Sequence, residues 1–150
     1  MKSREGFGYI YVATNPAHVG IVKIGKSDSP NTRIKKLSNH SGVPAPFQII
    51  FSQRLYDYHR IERVIHRTLH SVRNSANREF FKIAPEEAVS RVQSIILQYQ
   101  REQEQFLASC SPLAKAIYEA RKARGGAPLS NSMVQKGLSL ARRILKSHGA

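Results

Sequence analysis

Cysteine occurs once in this chain of 150 residues, at Cys110, so neither an internal disulfide nor a cysteine-based zinc site can form. That agrees with a reducing compartment. No stretch of about 18 apolar residues runs anywhere, and the basic opening "MKSREGFG" leads into no continuous apolar segment of the kind a secretory signal carries. The expectation is a cytoplasmic protein with no membrane partner. Acids are scarce as well: 10 Asp and Glu stand against 24 Lys and Arg, and so few carboxylates argue against a two-metal carboxylate cage. No internal repeat and no low-complexity tract interrupts the chain.

What the chain has in excess is positive charge. A formal +14 exceeds what solubility requires, and it costs folding free energy by self-repulsion unless a polyanion neutralises it. Nucleic acid is the partner such a balance fits best. A membrane surface would need a basic helix with a strong apolar face or a lipidation signal, and neither is evident.

Residues 8–13 and 21–26 are short β-prone runs rich in Tyr, Ile and Val, and "TNPAHVG" between them supplies Asn-Pro and Gly for a reversal. A hairpin is predicted. In "SDSPNTRIKKLSNHSG", Ser29 is placed to cap a short helix with Pro30 at its first position, and Ile34 and Leu37 share one face. "FQIIFSQRL" reads as a third strand. "DYHRIERVIHRTLH" then switches to helical spacing, with Ile61, Ile65 and Leu69 one turn apart behind Asp57 as the cap. A basic polar loop, "SVRNSANR", leads to the brief strand "EFFKI". Pro85 with Glu86 and Glu87 opens a long helix that carries Val89, Val92, Ile96 and Tyr99 on one stripe. The order β-β-α-β-α-β-α predicts an α/β (α+β) fold, a small mixed or antiparallel sheet opened by a hairpin and packed by helices.

From residue 113 the composition changes. Eight Lys and Arg stand against Glu119 alone, a net +7 and so half of the chain's excess. Helical patterns over 112–124 and 130–147 flank "GGAP"; in the second, Val134, Leu138, Ala141 and Leu145 form a stripe that leaves Lys136, Arg142, Arg143 and Lys146 outside it. The expected division is a core domain over 6–97, a helical linker over 98–112 and a basic helical appendage over 113–150 that contacts nucleic acid. Packing of that appendage on the core domain, or a homodimer built through it, is the structural alternative.

The stretch "GYIYVATNPAHVGIVKIGKS" poses a chemical question, because its two strands carry phenols and an ammonium among core residues. Residues two apart on a strand share a face, so Tyr9 and Tyr11 point one way and Ile10 and Val12 the other, with Lys23 and Gly25 a similar pair across the hairpin. An unperturbed tyrosine is ionised to about one part in a thousand at pH 7, and a nearby cation favours the phenolate. Lys23 is therefore expected to help a tyrosine act as a general base.

These residues resemble the GIY-YIG endonuclease superfamily, and within it a small phage and bacterial branch whose second motif reads K-I-G. "YIY" matches the first motif with Tyr11 on its tyrosine, and "KIG", residues 23–25, matches the second. Arg33, eight residues past Gly25, stands where the family's phosphate-binding arginine is expected. Glu79 in "NREFF" resembles the metal-binding glutamate, and "IERVIH" places His66 as a lining residue. The resemblance covers residues 6–97 and implies a metal-dependent DNA endonuclease with one Mg²⁺ (or Mn²⁺) at Glu79. Its catalytic residues would be Tyr11, Lys23, Arg33, His66 and Glu79, with Tyr9 competing with Tyr11 as the base. Lys26, Lys35 and Lys36 join the four tail cations as expected DNA contacts.

Three simpler readings stand beside this one. Arg33 is also one cation of a solvated helix face with Lys35 and Lys36. Glu62, His66 and His70 recur at helical spacing that can support zinc, but a third strong ligand is missing. "KIGKS" lacks the G-x-x-x-x-G-K spacing, so no nucleotide cofactor is expected. The rival function is a non-catalytic nucleic-acid-binding protein that relies on the basic tail.

Overall fold

The computed structural model describes residues 6–74 and 79–133. Strands β1 (Phe7–Thr14) and β2 (Ile21–Ser27) form the expected hairpin, followed by α1 (Pro30–Ser38), β3 (Gln48–Tyr56), α2 (Tyr58–Thr68), a 3₁₀ turn (His70–Val72), β4 (Phe80–Lys82), α3 (Pro85–Ser109) and α4 (Pro112–Ala123). The sheet order is β3-β1-β2-β4, and every pairing is antiparallel. By compactness the chain divides into Phe7–Tyr99 and a second unit of Met1–Gly6 with Gln100–Ala150.

Strand alternation gives the sheet two different faces. Ile10, Val12, Val22 and Ile24 meet Ile61 and Ile65 of α2 and Val92 and Ile96 of α3, and this makes the main core. Burying each such side chain stabilises the fold by about 1.5–3 kcal/mol. The opposite face is smaller: Tyr11 and Ala13 pack with Ile34 of α1 and Phe47. So α2 and α3 cover one side, and α1 leaves the other only partly closed.

Two helix starts depart from expectation in their chemistry. Pro30 does open α1, but the Ser29 hydroxyl bonds Thr32 Oγ1 at 2.9 Å in place of a backbone N–H. Asp57 stands at the start of α2 without capping it, because its carboxylate is taken by the Tyr99 hydroxyl at 2.5 Å and by Arg60 at 3.2 Å. Asp57 also adopts φ 63°, a left-handed turn that aspartate tolerates better than most residues.

In the second unit, Ser111 caps α4 by accepting from the Ala114 N–H at 3.3 Å. Gly125, at φ +68°, ends the helix in a Schellman motif, with Gly125 N–H on Lys122 O at 2.9 Å and Gly126 N–H on Arg121 O at 3.0 Å. The second tail pattern is helical at residues 131–133. Beyond that it lies outside the described residues, as do Lys136, Arg142, Arg143 and Lys146.

Candidate active site

Tyr11 sits at the centre of β1, opposite Gly25 of β2 and Ser52 of β3. Its ring lies across Gly25 so closely that a Cβ there would come 2.7 Å from the phenol oxygen and 2.9 Å from Cζ. Only glycine leaves that space. The ring is buried along its length, and its hydroxyl reaches a cavity of about 390 Å³ lined by Tyr11, Lys26, Arg33, Glu62, His66, Arg73 and Glu79.

Each wall has its own origin. Arg33 comes from α1, one turn after Ser29, whose carbonyl accepts the Arg33 N–H at 3.0 Å. Glu79 immediately precedes β4, and its carbonyl accepts the Ile24 N–H at 3.0 Å. The rung ends there. At the same residue, the Ile24 carbonyl is bonded at 2.9 Å by His66 Nε2 from α2. The carbonyl can only accept, so Nε2 donates to it, and Nδ1 faces Arg73 Nη2 at 3.5 Å.

Lys23 does not line the cavity. It is 2% exposed, its ammonium engages the Glu79 carboxylate, and the Phe80 ring lies 5.2 Å from it. A buried ammonium needs such a counter-charge. In the structure the partner of the Lys23 ammonium is Glu79, and the cation beside the Tyr11 phenol is Arg33. Burial and the negative charge of Glu79 push the Tyr11 phenol above its ordinary value, and the cation that opposes them is Arg33, through charge and hydrogen bonding. For Glu79, burial alone would raise the pKa, but Lys23, Arg33 and His66 together hold it below the ordinary value. It is an anion at neutral pH.

The remaining expected residues divide. Lys26 lines the cavity and is held by Glu62 at 2.5 Å. Tyr9 shares the face of Tyr11, opposite Ser27 and Arg54, but does not line the cavity. Lys35 and Lys36 are exposed in the last turn of α1, outside it. His70 begins the 3₁₀ turn away from Glu62 and His66, and among the described residues no group of three or more His, Cys, Asp or Glu could hold a metal. The zinc arrangement does not form. Sequence reasoning missed Arg73, which stands in a loop without periodicity. It noticed Glu62 only through its i,i+4 relation to His66.

A single carboxylate that stays ionised and opens on a cavity suits one hard divalent cation completed by water, and Glu79, with 43% of its side chain exposed, has those properties. The T5orf172 domain family model matches residues 8–96, which includes every wall of this cavity. The chain belongs to the T5orf172 domain family. That domain is GIY-YIG-like, a phage-associated nuclease type, which agrees with the kind of protein that the motifs resemble. Neither curated proteins nor solved structures give a match. The T5orf172 match ends before the basic tail, and among the described residues no helix is long and apolar enough to cross a membrane.

Proposed function

We propose that this T5orf172 protein is a metal-dependent DNA endonuclease of the K-I-G branch of the GIY-YIG type, hydrolysing phosphodiester bonds at one metal. One observation carries the reading: Tyr11 of β1, Arg33 of α1, His66 of α2 and Glu79 at the entrance to β4 open on one cavity. Hydrolysis needs a base for water, charge for the pentacoordinate phosphate and help for the leaving oxygen. As the phenolate, its own proton first lost to solvent, Tyr11 takes the proton of the attacking water; Arg33, by holding the phenol and the phosphate oxygens together, eases that prior ionisation and offsets the growing charge. Lys26 adds a further cation beside them.

Glu79 would hold Mg²⁺ or Mn²⁺, which when bound supplies Lewis-acid stabilisation of the departing 3′ oxygen. Lys23 keeps the Glu79 carboxylate ionised and in place. His66 braces β2 beside it. Lys35, Lys36 and the basic residues over 113–150 add phosphate contacts that anchor the duplex and weaken with salt.

Plasmid nicking with and without Mg²⁺ or Mn²⁺ tests the reading. The wild type should nick only with metal, while Tyr11→Phe and Glu79→Gln should lose about a hundredfold or more with DNA affinity little changed. Metal-independent binding without nicking would instead support the non-catalytic rival.

A further inference from the structure

Of the cations that line the cavity, Arg73 has no part in the chemistry above. Its backbone is fixed twice, by an isolated antiparallel bridge to Phe81 and by its N–H on His70 O at 3.2 Å. The guanidinium rests 5.9 Å from the centre of the fully buried Phe81 ring, on which His66 also packs at 5.2 Å. A half-buried guanidinium so placed has lost much of its freedom before any ligand arrives.

The chemistry around it suggests what that ligand is. Arg33 and Arg73 face the same space from different elements, α1 and the segment between the 3₁₀ turn and β4. A guanidinium fork matches two oxygens of one phosphate better than any other group in the cavity.

We propose that Arg73 is a second phosphate-contacting arginine of this site, holding a backbone phosphate of the bound strand from the β4 side while Arg33 holds it from α1. The assignment rests on the nuclease reading for its consequence, but its contact is with nucleic acid and is measurable without cleavage. Steadying His66 through the 3.5 Å contact is the alternative role, and it predicts a different result.

The test measures binding of the full chain to a duplex in EDTA, where no cutting occurs, from 50 to 200 mM salt. Arg73→Ala should bind about tenfold or more weakly at the lowest salt, and its log-log salt slope should be shallower by about 0.9, the signature of one lost phosphate contact. Arg73→Gln removes the charge while keeping a stem over Phe81, and gives the same reading should alanine unfold the protein. Wild-type affinity and slope in a folded variant that cuts poorly would overturn the proposal in favour of the His66 role. A wild type that binds but never cuts would sink the nuclease reading alone, leaving the slope to decide Arg73.

Discussion

The ammonium of Lys23 in β2 is neutralised by the carboxylate of Glu79, which stands 56 residues later at the entrance to β4. The pair is asymmetric, since the lysine side chain is 3% exposed and the glutamate 43%. Removing the acid therefore strands a buried charge, whereas removing the base leaves a carboxylate that water can reach. Glu79→Ala should cost roughly 3–5 kcal/mol of stability, and Lys23→Met in the same chain should recover most of it. Denaturant unfolding of the two single variants and the double variant checks this, and the double variant should remain unable to nick DNA.

Tyr11 and Gly25 give a steric prediction. A methyl at residue 25 meets the phenol at 2.7 Å, so Gly25→Ala must displace the ring that reaches the cavity. Loss of stability should be about 1–3 kcal/mol, the usual cost of overpacking, while nicking should fall at least about tenfold. Gly42→Ala, where nothing lies within 4 Å of the new carbon, is the matched control. Equal nicking by the two variants would separate Tyr11 from the chemistry.

The pH dependence has two limbs, an alkaline one from Tyr11 and an acid one from Glu79, set by pKa shifts in opposite directions. Tyr11 is raised by burial and Glu79 and lowered by Arg33, so the rate should climb with pH on the alkaline side. Arg33→Gln should move that limb to still higher pH. Glu79 is held below its ordinary value despite burial. Its contribution to stability is present above the unfolded carboxylate pKa and is lost as pH falls through the lower, folded one. Single-turnover rates across pH and acid unfolding followed by circular dichroism report the two limbs, and an alkaline limb that survives Tyr11→Phe would assign the base elsewhere.

His66 bonds the Ile24 carbonyl at 2.9 Å where β4 no longer supplies a rung. His66→Ala leaves that carbonyl without its donor and should cost about 1–3 kcal/mol. His66→Gln, whose Nε2 can reach the same oxygen, should recover most of the stability and much of the nicking rate. Recovery of stability alone would show that the imidazole also moves a proton.

The elements of the fold were legible because their signals are local. β-prone runs of Tyr, Ile and Val with turn residues between them marked the hairpin, and a period near 3.6 marked α2 and α3. Both signals come from backbone preferences that each residue shares with its near neighbours. Tyr11, Arg33 and Glu79 were legible through motif spacing, and the structure brings them to one cavity.

Other features depended on packing between segments far apart in the chain. Asp57 has the residue type and place of a cap, yet Tyr99, 42 residues on, takes its carboxylate. Lys23 reads as the companion of Tyr11 on the hairpin, yet Glu79 is the group that can neutralise it once it is buried. Arg73 sits in a loop with no pattern, and only its bridge to Phe81 brings it to the site. The sequence by itself determined which residues form strands and helices, because those preferences act within a turn or two of chain. Which charge meets which was decided by the tertiary structure, because burial sets the cost of leaving a charge unpaired, and burial exists only after the sheet and helices have packed.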